Sequence, residues 1–241
     1  MIVEVCLDSL DSVEAAAIAG AQRIELCAAL AEGGLTPSLG VLQQARQIFP
    51  GEIAMMIRPR GGDFFYSPSE LRSMAADIRL ASAHGADAVV FGCLDADGFI
   101  DETACLALLD ACNGLPAVFH RAIDVSVNLS DSLETLIRLG FRRILSSGGH
   151  PSAPEGAAVL AALIRQAAGR IEILPGGGIT PENATELIAT TGTEQIHLTG
   201  RVTRESPMRF RRPEIPMGAL TLPGEYERRT TSPEKIRSLL G

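Results

Sequence analysis

Val3-Glu4-Val5-Cys6 and Ile24-Glu25-Leu26-Cys27 carry one pattern twice, apolar residues alternating with a carboxylate and a thiol. Side chains alternate faces along a strand, so Val3 and Val5 share one face and Glu4 and Cys6 the other. The branched face has to pack on something apolar, which predicts helices outside the sheet. The carboxylates and thiols then point to the inside of its curvature. Buried carboxylates and thiols are costly without partners, so the repeat reads as a site more than as a core.

Working outward, short apolar strand candidates recur between stretches of helical period. They fall at residues 2–6, 23–27, 53–57, 88–92, 117–120, 143–146, 172–174 and 195–199. Helix candidates lie between them, among them 12–19, 38–49, 69–84, 103–112 and 157–168. Thr36-Pro37, Ser67-Pro68, Thr180-Pro181 and Ser232-Pro233 each offer a capping hydroxyl followed by Pro in the first turn. Ser67 with Glu70 completes a capping box, and Gly20, Gly85, Gly140 and Gly192 sit where helices should stop.

Eight strand–helix units in 241 residues predict an α/β fold, a single-domain (β/α)8 TIM-like barrel over residues 1–241. A doubly wound open sheet is the competing architecture. It would gather polar residues at one switch point, whereas here they recur at the C-terminal ends of nearly all strands. Residues 203–231, rich in Arg and Pro and without clear period, read as an irregular arm. It is expected to cross the barrel mouth or to reach into a neighbouring subunit. A short terminal helix follows within 232–241.

Composition narrows the partners. An apolar fraction of 46% suits a sizeable core, and no apolar run approaches a membrane span. The first residues enter a strand with no basic leader, so neither secretion nor membrane insertion is expected. A net charge of −8 argues against a nucleic-acid partner. Five cysteines, at 6, 27, 93, 105 and 112, are odd in number and lack a C-x-x-C motif. They read as reduced thiols of a cytoplasmic protein. Cys105 and Cys112 share one helix face and read as core.

The strand ends collect the candidates for chemistry. Cys6 and Cys27 lie 21 residues apart at matching positions of consecutive strands. Two thiolates suit Cu(I); zinc would need His120 or His197 to complete a tetrahedron. The plain alternative is a pair of small buried hydrophobes. Glu4, Glu25, His120 and His197 are candidate proton carriers, with Asp124 orienting an imidazole. A polar network closing the barrel top is the alternative for these. His84 and His150 read as surface residues. The run Pro175-Gly176-Gly177-Gly178 opens a helix after the seventh strand, a place where barrels hold phosphate. Arg58 and Arg60, expected on one strand face, and Arg201 would add charge for the same anion.

These residues resemble a known family. Glu4-Val5-Cys6, Arg23-Ile24-Glu25-Leu26-Cys27, Gly33-Gly34-Leu35-Thr36-Pro37-Ser38 and Ile57-Arg58-Pro59-Arg60-Gly61-Gly62-Asp63-Phe64 look like the signature of the CutC copper homeostasis family. The likeness continues through Phe119-His120-Arg121-Ala122, Leu145-Ser146-Ser147-Gly148, Pro175-Gly176-Gly177-Gly178 and His197, and reaches Glu225-Tyr226 in the tail. The departures are Ile123, Ser146 and Thr199, where the family tends to Phe, Thr and Ser. The resemblance implies a cytoplasmic TIM-like barrel, a homodimer or higher homo-oligomer, with Cu(I) bound through Cys6 and Cys27. The residues by themselves leave a second function open: an enzyme acting on a small anionic, phosphorylated metabolite at the barrel mouth.

Overall fold

The computed structural model describes residues 1–215 and 224–240. Its eight principal strands are β1 (Ile2–Leu7), β2 (Arg23–Leu26), β3 (Glu52–Met56), β4 (Ala88–Phe91), β5 (Ala117–Phe119), β6 (Arg143–Ser146), β7 (Glu172–Pro175) and β8 (Gln195–Leu198). All pair in parallel, in the order β7-β6-β5-β4-β3-β2-β1-β8. A parallel bridge between Gly176 and His197 joins β7 to β8. The sheet therefore curls into a barrel and does not stay open.

Seven helices connect the strands: α1 (Leu10–Ala19), α2 (Leu39–Ile48), α3 (Pro68–Ala83), α4 (Glu102–Cys112), α5 (Leu129–Leu139), α6 (Ala157–Ala167) and α7 (Pro181–Thr191). Most start where a capping side chain satisfies the free N–H groups of the first turn. Ser67 and Glu70 form the expected capping box on α3. Gly20, Gly140 and Gly192 close their helices in the left-handed conformation that a side chain disfavours. One expected cap moves. Ser38, not Thr36, caps α2. Thr36 Oγ1 instead accepts the Arg58 N–H at 2.8 Å, which ties the loop after β2 to the loop after β3.

The alternation read from the sequence sorts the interior into two regions. Val3, Val5, Leu7, Ile24, Leu26 and Ile53 face outward into the core shared with the helices. Cys6, Cys27, Ala54, Met56, Ala88, Val90 and Val118 form a separate cluster inside the barrel. Cys105 and Cys112 are buried in the outer core, as their helical spacing requires. The lumen beside β1, β2, β6, β7 and β8 is polar, and there Glu4, Arg23, Arg143, Gln195 and His197 are all buried.

The arm is more regular than its composition suggests. Its two ends pair as an antiparallel ribbon, β9 (Arg201–Glu205) with β10 (Glu227–Thr231). Both strands are largely exposed Arg, Glu and Thr, so no apolar alternation marks them in the sequence. The ribbon is rooted where the Thr231 N–H donates to Ser12 Oγ of α1 at 3.1 Å and Thr231 Oγ1 donates to the Thr199 carbonyl at 3.2 Å. Residues 216–223 of the expected arm lie outside the described residues. The terminal helix α8 (Pro233–Leu240) buries Ile236 and Leu239.

Candidate functional site

The charged centre of the lumen is built on Glu4. Its carboxylate accepts from His197 Nδ1 at 2.7 Å and from Arg23 Nε, and Arg143 Nη1 lies 3.8 Å away. Arg23 donates to Gln195 Oε1 at 2.7 Å, and Arg143 donates to Glu172 Oε2 at 2.8 Å and Glu52 Oε1 at 3.4 Å. Burial pushes the Glu4 carboxyl up, but the His197 hydrogen bond and the Arg23 and Arg143 charges outweigh it and hold it at about 2. Burial alone would lower His197. The charge of Glu25 and the bonds to Cys6 and Glu4 instead raise it well above the ordinary range.

Above this layer sit the thiols. Cys6 Sγ lies 3.9 Å from Cys27 Sγ and donates to Glu25 Oε2 at 3.1 Å, while Cys27 donates to the same oxygen at 3.6 Å. His197 Nε2 stands 3.8 Å from that oxygen. Burial, with Glu4 nearby, raises the Glu25 carboxyl. The bond to Cys27 and burial push the Cys6 thiol well up. The Cys6 bond lowers Cys27, but burial and the Glu25 charge overcome it and push this thiol up to about 11. Among the described residues two donor sets could hold a cation, Cys6-Glu25-Cys27 and Glu4-Glu25-His197, each with its atoms within 4.8 Å of one another.

A pocket of about 110 Å³ opens beside the thiols. Cys6, Glu25 and His197 border it on one side, and Arg58, Phe64 and His120 on another. The ring of His120 lies where a side chain at residue 92 would stand: a Cβ on Gly92 would meet His120 Nδ1 at 2.6 Å and Phe119 at 3.0 Å. Gly92→Ala is therefore expected to displace His120 and to cost about 1–3 kcal/mol by overpacking. Denaturant unfolding measures this; an unchanged midpoint would show that the ring has room. Burial and the Arg58 charge push His120 down to about 3, so this second imidazole is neutral.

Other candidates are placed elsewhere. Arg58 and Arg60 lie in the loop beyond β3 and diverge: Arg58 turns inward, and Arg60 pairs with Asp63 at 2.9 Å and Glu70 at 2.6 Å. Arg201 belongs to the ribbon, and neither it, Arg60 nor Gly176, Gly177 and Gly178 line the pocket. Asp124 does not orient an imidazole. It sits in a 3-10 turn, Arg121–Val125, that faces the loop after β6. There it accepts from Ser146 Oγ at 2.6 Å, the Ser147 N–H at 3.0 Å and Arg121 Nε at 2.8 Å. His84 bonds the Leu80 carbonyl on the surface, and His150 is exposed.

Arg23, Arg143 and the pocket residues Phe64 and Arg121 are absent from the candidates read in the sequence. Arg23 was within reach, since it alternates with Glu25 and Cys27 and must share their face. Arg143 reaches Glu4 across the barrel, a relation that no local spacing carries.

A closed barrel with a thiol–carboxylate–imidazole cluster at its C-terminal mouth defines a TIM-barrel protein with a polar site at the usual end of the fold. The chain belongs to the CutC family, whose profile matches residues 1–202. A human protein named copper homeostasis protein cutC homolog is 48% identical over 238 residues, 99% of this chain and 87% of that protein. A CutC family protein of Porphyromonas gingivalis is 45% identical, covering 98% of this chain and 96% of its own length. The crystal structure of a CutC copper homeostasis protein from Streptococcus agalactiae superposes with a TM-score of 0.79 at 41% identity, over 83% of this chain and 98% of that one. An aldolase, QR15, shares the fold alone, with a TM-score of 0.61 at 14% identity over 81% of this chain and 89% of its own. Among the described residues no helix is long and apolar enough to cross a membrane.

Proposed function

We propose that this chain is a Cu(I)-binding protein of cytoplasmic copper homeostasis, with Cys6 and Cys27 as the copper ligands. The observation that carries the reading is the pair of sulfurs 3.9 Å apart. That separation is less than twice a metal–thiolate bond of about 2.3 Å, so one ion can touch both without moving the strands. Thiolates are the soft ligands that select Cu(I) over harder cations. Glu25 Oε2 stands beside both sulfurs and would accept or release charge as the ion arrives. The names of the relatives point the same way. All five cysteines are free, which suits a reducing compartment.

A competitive titration of the reduced protein with Cu(I) against a strong chelator tests the proposal, run beside the Cys6→Ser/Cys27→Ser variant. One tight equivalent is expected, lost in the variant while circular dichroism shows an intact barrel. Equal affinity in the two proteins would reject these ligands.

A further inference from the structure

Residues 206–215 leave the ribbon as an internally bonded loop that keeps its apolar side chains in solvent. Arg211 holds it together: Nη1 pairs with Glu205 at 2.7 Å, Nε donates to the Met208 carbonyl at 3.1 Å and Nη2 to the Ser206 carbonyl at 3.0 Å. The Met208 N–H donates to Ser206 Oγ at 3.2 Å, and the Arg211 guanidinium lies 5.2 Å from the centre of the Tyr226 ring. Yet Met208 and Phe210 are each more than half exposed, and Phe210 has the Arg212 guanidinium 5.6 Å from its ring centre. None of the described carboxylates lies within ion-pair distance of Arg209 or Arg212. Residues 201–215 hold five Arg and two Glu in a chain of net charge −8, so this stretch is basic where the rest is acidic.

A second uncovered apolar surface lies on the loops after β3, β4 and β5, at the rim of the barrel mouth. Phe65, Phe99, Val125 and Val127 are all more than half exposed. Backbone bonds knit these loops side by side. The Leu94 N–H donates to the Phe64 carbonyl at 2.9 Å, the Asp95 N–H to the Phe99 carbonyl at 2.9 Å, and the Val127 N–H to the Gly98 carbonyl at 3.0 Å. A Cβ on Gly98 would meet Val127 Cγ2 at 3.2 Å, so Val127 lies against the turn that leads into Phe99. Asp97 in the β4 loop and Asp131 in the first turn of α5 are exposed, and none of the described cations pairs with either. Scattered apolar residues on a surface need no explanation, but aromatic and branched side chains gathered on adjoining loops mark an interaction site.

We propose that residues 206–215 of one copy of this chain dock on the surface of Phe65, Phe99 and Val127 of a second copy, the contact being made twice about a two-fold axis. Met208 and Phe210 would cover the apolar side chains, and Arg209 and Arg212 would meet Asp97 and Asp131. Aromatic and Arg side chains are the types that carry most of the energy of interfaces. Within one chain neither surface covers the other, since the apolar residues of both are exposed. A chain that bears both complementary surfaces satisfies both at once only by pairing with a copy of itself, which closes the assembly. A stable interface buries about 1,200–2,000 Å² in total, so one loop on one patch need bury only about half of that. The Arg211 bonds fix the loop before it docks, which spares much of the entropy of ordering it. The docked loop would lie at the rim of the barrel mouth. This contact needs no metal and goes beyond the copper reading.

Sedimentation velocity of the reduced, metal-free full chain over a range of concentrations tests the proposal, run beside Phe99→Glu and Phe210→Glu. Both side chains are exposed, so the variants should keep the fold, which circular dichroism checks. The wild-type chain is expected to dimerise with Kd on the order of 1 μM, more weakly in high salt. Each substitution enters the dimer twice. At about tenfold per contact, either one should weaken association about a hundredfold. Mixing the two variants is the sharpest arm. A mixed pair keeps one unaltered loop on one unaltered patch, so it should associate about tenfold more tightly than either variant alone. A wild-type chain that stays monomeric at about 100 μM would overturn the proposal. A dimer indifferent to both substitutions would place the interface elsewhere and overturn it too. Two weakened variants that gain nothing on mixing would reject the contact between loop and patch.

Discussion

Replacing Glu4 by Gln is expected to destabilise the barrel by about 3–5 kcal/mol, the usual cost of removing one partner from a buried ion pair. Gln keeps the shape and some hydrogen bonding but removes the charge that Arg23, Arg143 and His197 share. The Arg143 side chain is 0% exposed and already has one unpartnered nitrogen, so water cannot stand in. The same carboxylate predicts a pH dependence. Its folded value of about 2 lies below the reference of 4.5, so the unfolded chain binds its proton first as pH falls. The resulting stability is fully present above about pH 4.5 and is lost as pH falls towards 2, an effect on the order of 3 kcal/mol. Urea unfolding at pH 7 and pH 3 reads both effects. The wild-type protein should lose stability between them, and Glu4→Gln should lose less. A variant within 1 kcal/mol of wild type at pH 7 would show that Glu4 is not the keystone of the lumen.

The barrel was legible because its signals are local. Val3 and Val5 against Glu4 and Cys6 fix which face turns outward, and Ser67-Pro68 with Glu70 fixes a helix start, each within a few residues. The thiol pair was legible for the same reason, since equivalent positions on consecutive strands must be neighbours. The ion-pair centre was not. Glu4 meets Arg143 and His197 only after the sheet has closed, and closure is a relation among distant residues. Arg58 and Arg60 show the opposite failure. Their two-residue spacing implies a shared face only on a strand, and β3 ends at Met56. Beyond it the backbone follows the loop, so one arginine turns in and the other out. The ribbon escaped because its strands are wet on both faces, and alternation is a record of burial.

Affinity for Cu(I) is expected to rise about a hundredfold per pH unit between pH 6 and pH 8, because two thiol protons must leave for the ion to bind. The sign follows from the site. Cys27 is pushed up to about 11 and Cys6 well above its ordinary value, so both are thiols throughout that range. Each proton released on binding makes the apparent affinity about tenfold stronger for every unit of pH. An exposed, acidic thiol pair would show a shallower slope, since part of it would already be thiolate near neutrality. Burial against Glu25 would thus make the proposed copper site weak in acid and steep in its response, with His197 Nε2 standing 3.8 Å from the Glu25 carboxylate. Competition titrations at several pH values, corrected for protonation of the chelator, measure the slope, and calorimetry in buffers of different ionisation enthalpy counts the protons directly. Cys27→Ser should lower the count from two to one. A wild-type slope of one would leave a single sulfur as a thiolate ligand. A slope of zero would mean that copper binds this protein somewhere other than its two strand-end thiols.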